Sequence, residues 1–300
     1  MNKKQLILLL SICIIGAFAV IAFIGKKKSQ SNTKKLKVTT SFYPLSYLVE
    51  RIGGDAVFVT NLTPVGSEPH DFEPSTRDIA LLEKQDLIVL SGGGLEGYAD
   101  KIAQNINTDK TTILLVGEQL MSDPKDPHVW LDPVLYSKQA EVVGAALMKL
   151  DPINAKIYTK NMKELNEDLG ELNNNFMKGL ANCKQRSIVT SHNAFGYLAK
   201  RYDLKQVALS GLSPDEEPSS KTLTEITAFA KNNDIHYIFF EELVNPQIAE
   251  TIANEIGAGT LVFSPLEGLT HDDVLEGKTY LSVQRENLAN LKIALDCAKQ

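Results

Sequence analysis

Residues 151–180 read DPINAKIYTKNMKELNEDLGELNNNFMKGL, and this stretch decides how the rest of the chain divides. Asp151-Pro152 is a helix start: Asp stands at the N-cap and Pro in the first turn, where its missing N–H is no loss. From there Tyr158, Met162, Leu165, Leu169, Leu172, Phe176 and Leu180 recur at spacings of three and four, which draws one apolar stripe down one helical face. The spacing predicts a helix of about 30 residues, hence about 45 Å long. A flexible linker would be rich in Gly and Ser. This one has Gly170 as its single weak point mid-helix, so it reads as a stiff strut that resists wide hinge bending.

On each side of the strut, short β-branched runs alternate with helical patterns. Strands are expected at Leu36–Thr40, Val57–Leu62, Asp86–Leu90 and Thr112–Val116, and again at Ser187–Thr190, Lys205–Leu209, Tyr237–Phe240 and Thr260–Phe263. Four strands, a break and four more predict an α/β protein: two Rossmann-like lobes with four-stranded parallel sheets, joined by one long helix. The expected division is 1–28 signal or membrane anchor, 29–35 tether, 36–150 first lobe, 151–183 linking helix and 184–300 second lobe.

Residues 6–25 form an uncharged apolar run between Lys3-Lys4 and Lys26-Lys27-Lys28. Such a run spans a hydrocarbon core and is long for a signal-peptide core. Two readings stand: an uncleaved anchor, or a signal cleaved near Ala17-Phe18-Ala19. Either exports the body to an extracytoplasmic place, at the cell surface or in a periplasm. Cys13 lies in this run, and Ile12 stands where a lipid-modified cysteine expects a small residue before it. That leaves Cys183 and Cys297, an even pair in an oxidising compartment: a disulfide, or two buried thiols. The first 28 residues hold five lysines and no acid, so the remainder carries 26 basic against 37 acidic side chains, about −11. An acidic body argues against nucleic acid as a partner.

The body has five histidines, and their placement separates them. His70 follows the second expected strand in Pro64-Val65-Gly66-Ser67-Glu68-Pro69-His70. His128 follows the fourth in Asp126-Pro127-His128-Val129-Trp130-Leu131-Asp132, and His192 comes just after the first strand of the second lobe. These are carboxyl ends of strands, where open parallel sheets bind ligands. The equivalent place after the last strand holds Glu267 in Ser264-Pro265-Leu266-Glu267, so each lobe offers two groups to the cleft between them. Three imidazoles and a carboxylate suit a tetrahedral Zn²⁺ site, whereas Mn²⁺ prefers more oxygen. His236 opens a strand at the wrong end and reads as structural, and His271 reads as a polar helix-start residue. Glu241, Glu242 and Asp132 are candidate acceptors for an imidazole N–H, or else members of solvated loops.

These residues resemble the zinc/manganese solute-binding proteins of ABC importers, and within them the zinc-specific branch. The likeness runs from about Leu36 to Leu295. It rests on Ser41-Phe42-Tyr43-Pro44, on residues 68–75 (EPHDFEPS), on residues 127–133 (PHVWLDP), on residues 190–198 (TSHNAFGYL), on Gly211-Leu212-Ser213-Pro214, on Glu217-Pro218-Ser219, and on residues 265–270 (PLEGLT). The resemblance implies two α/β lobes joined by a long helix, metal held between them, and a membrane permease as partner. It places His70, His128 and His192 at the first three ligand positions and Glu267 at the fourth. His192 stands where manganese-type members tend to carry a carboxylate. The chain departs in having a short, histidine-free segment at residues 117–126, where many zinc members carry a His-rich loop.

Three function classes follow: a transport receptor without chemistry of its own, acting as a monomer; a metal-holding adhesin; and a secreted zinc hydrolase. A hydrolase keeps an open coordination position and a base. Four protein donors leave no such position, and the sequence has no His-Glu-x-x-His run, so no enzyme is expected.

Overall fold

The computed structural model describes residues 34–214 and 216–298. The apolar segment at 1–28, with most of the tether, lies outside the described residues. Among those described, no helix is long and apolar enough to cross a membrane. From Lys35 onward the chain is one compact unit.

Two sheets of four strands carry the architecture. The first is β1 (Leu36–Thr40), β2 (Val57–Asn61), β3 (Leu87–Leu90) and β4 (Thr112–Leu115), in the order β2-β1-β3-β4. The second is β5 (Ser187–Thr190), β6 (Lys205–Ala208), β7 (Tyr237–Phe240) and β8 (Gly259–Val262), in the order β6-β5-β7-β8. Every pair is parallel. The two orders are the same topology repeated. In each sheet the direction of growth reverses beside the first strand, which opens a crevice at the carboxyl ends of β1 and β3 and of β5 and β7. All strand limits fall within one residue of those expected.

Alternation along the strands feeds separate cores. Leu87 and Val89 of β3 point into a central cluster, while Ile88 and Leu90 point into an outer one with Tyr98 and Ile102. In the second sheet Ile188 and Phe239 join the central cluster, and Val189 and Ile238 an outer one with Ile226 and Ile252. Both faces are thus covered, which is why these strands read as continuous apolar runs.

The central cluster spans both sheets because one helix runs along it. Helices α1 (Tyr43–Gly53), α2 (Thr76–Leu82), α3 (Ala99–Asn105) and α4 (Pro133–Leu150) precede the strut, α5 (Ala155–Gly179). Helix α5 packs on α1 and α4 on one side, and on α10 (Tyr280–Ala294) after the second sheet. Tyr158, Leu165, Leu169, Leu172 and Phe176 of its stripe are buried. At about 1.5–3 kcal/mol per buried side chain, these five contribute on the order of 10 kcal/mol before lost conformational entropy is subtracted.

The strut is shorter than expected: α5 has 25 residues, and Pro152–Asn154 form a separate 3₁₀ turn. Asp151 does not cap an amide of the helix. Its carboxylate accepts from Asn154 Nδ2 at 2.6 Å and the Tyr158 hydroxyl at 2.7 Å, which ties off the tight turn before α5 begins. The other end stops at Gly179, with Leu180 as C-cap.

Cys183 and Cys297 are joined by a disulfide across 114 positions. The bridge sits in a short antiparallel contact, where Lys184 N–H donates to Asp296 O and Gln185 N–H to Leu295 O. It fastens the end of α10 to the segment that enters β5, as the even pair of cysteines suggested.

Candidate metal centre

Each candidate donor is carried by a loop that the sequence stiffens. His70 ends a loop between Pro64 and Pro69. At Gly66 the backbone takes φ +78°, a region that favours glycine, and its N–H donates to Leu269 O at 2.9 Å, joining this loop to the one that carries Glu267. His128 is followed by a 3₁₀ turn, Val129–Leu131, whose three side chains are all buried. Within it the Trp130 indole packs edge-on to Phe42 and donates to Pro265 O at 2.8 Å. The Tyr280 hydroxyl donates to Trp130 O at 2.6 Å. The His128 loop is therefore bolted to the Glu267 loop and to α10. His192 sits two residues past β5, with its carbonyl accepting from Thr190 Oγ1 and Gln206 Nε2. Ahead of Glu267, both backbone groups of Ser264 bond to the Asn287 side chain, and Leu266 is held at φ +56°. A buried leucine in the left-handed region is strained, and the surrounding bonds hold the strain where it aims the next side chain.

The four groups converge. One ligand atom from each of His70, His128, His192 and Glu267 lies within 4.8 Å of every other. Glu267 Oε1 is 3.4 Å from His70 Nε2, 3.1 Å from His128 Nε2 and 3.3 Å from His192 Nε2, and the first two imidazole nitrogens are 3.3 Å apart. Zinc–nitrogen and zinc–oxygen bonds of about 2.0–2.1 Å give a tetrahedron with edges of roughly 3.3–3.4 Å. The four observed separations, 3.1–3.4 Å, are close to those edges. Two buried atoms of the cluster, His192 Nε2 and Glu267 Oε2, have no hydrogen-bond partner. Leaving acceptors dry and unpaired costs about 1–3 kcal/mol each, which a cation at the centre would offset.

Carboxylates behind two of the imidazoles fix their tautomers. His128 Nδ1 lies 2.7 Å from Asp126 Oδ1, and His192 Nδ1 lies 2.7 and 2.8 Å from the two Glu241 oxygens. An Nδ1–H donated outward leaves the Nε2 lone pair facing the centre. Charge is shared accordingly. Burial alone lowers the pKa of His128, but its bonds to Asp126 and Glu267 outweigh that and the net shift is upward. His192, also opposed by burial, is raised well above the usual range by Glu241 and Glu267. Burial works to raise Glu267, yet the three histidines hold it well below the carboxylate range. Burial, and then the charge of Glu267, push Glu68 up to about 9.

Of the three carboxylates considered as imidazole acceptors, Glu241 alone fills that place. Glu242 is exposed. Asp132 turns the other way, capping α4 through the Val134 N–H and pairing with Arg201. His236 is exposed, 3.4 Å from Asp234, and His271 is the exposed first residue of α9 (His271–Leu275). Sequence reasoning missed Asp126 and Glu68, each two residues before a histidine donor. The only available signal was the repeated acid-Pro-His pattern, Asp126-Pro127-His128 and Glu68-Pro69-His70.

Removing an outer carboxylate isolates its role. Glu241→Ala is expected to weaken Zn²⁺ binding by about 10- to 100-fold, because the His192 tautomer is no longer enforced. Chelator competition measures this, and unchanged affinity would assign Glu241 to packing alone.

Two doubly wound sheets on a helical spine, with histidine and carboxylate side chains from both meeting between them, define a binding-protein architecture. The chain belongs to the family described as ZnuA, zinc-uptake complex component A, periplasmic, whose model matches residues 38–294. It is 35% identical to the high-affinity zinc uptake system protein ZnuA of Bacillus subtilis, covering 94% of this chain and 96% of that one. It is 36% identical to the zinc-binding lipoprotein AdcA of Streptococcus pneumoniae, and spans 61% of that protein's length. Among solved structures, the Zn(II)-bound ZnuA-like domain of that AdcA superposes with a TM-score of 0.79 at 38% identity, covering 88% of this chain and all of the domain. A laminin-binding protein of Streptococcus agalactiae, described as bifunctional with adhesin and metal-transporting activity, superposes with a TM-score of 0.79 at 35% identity, covering 87% of this chain and 99% of that one.

Proposed function

We propose that this chain is the extracytoplasmic substrate-binding component of an ABC metal importer. It captures one Zn²⁺ with His70, His128, His192 and Glu267 and delivers it to the membrane permease. The observation that carries this is the set of imidazole Nε2 atoms at 3.1–3.4 Å from Glu267 Oε1, tetrahedral edges for an ion the size of Zn²⁺. A nitrogen-rich donor set also favours Zn²⁺ over Mn²⁺ in affinity. In this reading residues 36–150 and 184–300 are the lobes, 151–183 joins them, and the apolar run at 6–25 takes the body out of the cytoplasm. The protein acts as a monomer and catalyses nothing. Calorimetric titration with Zn²⁺ and Mn²⁺ in competition tests it: one Zn²⁺ per chain that excess Mn²⁺ does not displace is expected, and preference for Mn²⁺ would reject the zinc assignment.

An adhesin role is favoured by the laminin-binding streptococcal proteins of the same fold, among them the bifunctional one. The two readings separate on reversibility. A receptor stays folded without metal and rebinds it, whereas a protein using metal for stability alone unfolds when stripped.

Binding should follow pH with a definite sign. Imidazoles ligate as free bases, so protons compete with the ion. Because His128 and His192 are shifted upward, competition begins above the ordinary imidazole value of about 6.5. Apparent Zn²⁺ affinity should fall more than about tenfold from pH 7.5 to 5.5, where each released proton is worth about tenfold per pH unit. Flat affinity over that range would count against three histidine donors.

A further inference from the structure

The donors leave open how a hydrated ion reaches them. His128, His192 and Glu267 side chains are fully enclosed, while the His70 side chain is 11% exposed, so the way in lies on the His70 side. There a cavity of about 560 Å³ is lined by Glu68, Asp71, Ser191, Ser210, Glu217 and Asn245. It flanks His70 through Glu68 and Asp71, and His192 through Ser191. Glu68 belongs to both places: it is on the cavity wall, and it stands two residues before the donor His70. One of its oxygens accepts from the His70 N–H at 3.2 Å, which holds the side chain beside the donor it precedes. A second cavity, of about 310 Å³, touches Glu267 from another side; its wall is mainly apolar, with Val65, Leu269 and Val274, and also carries Glu50, Ser46, Asn61 and Thr63. Apolar walls do not replace the water that a dication sheds.

We propose that Glu68 is a relay ligand, resting on the reading of the four inner donors as the zinc site: it takes the ion in the larger cavity and passes it inward while its remaining water leaves. A carboxylate that replaces departing water keeps the ion coordinated between cavity and centre. Because Glu68 acts on the crossing and not on the seated ion, it speeds entry and exit alike and leaves the equilibrium almost unchanged. Asp71 and Glu217 contribute field at the mouth, which raises the local cation concentration.

The test is stopped-flow mixing of the full chain with Zn²⁺, followed by Trp130 emission, since the chain's single tryptophan has its ring 5.1 Å from that of His128. Release is read by adding excess chelator. Glu68→Gln keeps the size and the acceptor for the His70 amide and removes the carboxyl group that the arriving ion would bind. It is expected to slow capture and release each by about tenfold with Kd held within about threefold, because losing a contact to the ion in transit raises the barrier equally from both sides. Glu68→Asp should recover most of both rates, and Glu50→Gln should match the wild type. The relay is overturned if Glu68→Gln changes neither rate, if it speeds release without slowing capture, or if Glu50→Gln is the slow variant. A wild type that takes up no Zn²⁺ overturns the zinc site and the relay together, whereas one that binds while Glu68→Gln keeps its rates overturns the relay alone.

Discussion

Glu267→Gln is expected to lower Zn²⁺ affinity by roughly 150- to 5,000-fold, the equivalent of about 3–5 kcal/mol for leaving a buried charge uncompensated. Without this carboxylate, a dication would sit among three neutral imidazoles in a pocket closed to water. The substitution preserves shape, and the bonds that place the loop do not involve the changed group: Asn287 on Ser264, and Trp130 Nε1 on Pro265 O. The metal-free variant keeps those bonds but loses the charge that faces three imidazoles, so binding is compared at a temperature where both proteins are folded. Competition against a chelator of known affinity measures it. A loss below about tenfold would mean that the carboxylate is not a ligand, since even outer partners of a ligand are worth that much.

The second large effect concerns the terminal helix. Cys183→Ser opens a bridge across 114 positions, and the chain-entropy estimate for a loop of that size is about 4–5 kcal/mol. At about 2–4 °C per kcal/mol for a body of this size, the melting temperature should fall by roughly 10–20 °C. The consequence should reach the metal. Helix α10 brings Tyr280, Leu281, Leu288 and Leu291 into the central core, and the Tyr280 hydroxyl holds the Trp130 carbonyl two residues from His128. Saturating Zn²⁺, which binds only the folded state, should restore part of the loss. Melting curves of wild type and variant, each with and without Zn²⁺, provide the check. A shift below about 2 °C would show that the helix holds its place by packing alone.

The two sheets were legible because their strands are short runs rich in apolar and β-branched residues between turn residues, and every limit lies within a residue of its expected place; the inner strands β3, β5 and β7 are largely buried on both faces, while the edge strands β2, β4, β6 and β8 are half exposed. The strut was legible through its stripe: Tyr158, Leu165, Leu169, Leu172 and Phe176 are buried as spaced, and Met162 is half-buried. Its start was misread because Asp-Pro marks a helix entry equally well whether or not a 3₁₀ turn comes first. That choice was made by Tyr158 and Asn154 reaching back to Asp151, a contact that spacing does not encode. That these four side chains meet could be read from a rule about strand ends, without knowing how the loops fold. Of the groups behind them, Glu241 was a candidate that the sequence did not separate from Glu242 and Asp132, and Asp126 was not seen. Asp126 and Glu241 stand equally behind a histidine, yet Asp126 reaches His128 through a local reversal of the chain, while Glu241 reaches His192 across the sheet from β7. Asp132 had the same chemistry and proximity in sequence, but a helix start and Arg201 claimed it first.

The account turns on one centre with one donor set, and X-ray absorption at the zinc edge, joined to anomalous diffraction from crystals of the loaded protein, tests it most directly. It predicts a single ion per chain, with three nitrogens and one oxygen at about 2.0–2.1 Å, lying among His70, His128, His192 and Glu267. Sulfur in the coordination sphere at about 2.3 Å, fewer than three imidazoles, or an anomalous peak away from these four residues would contradict it.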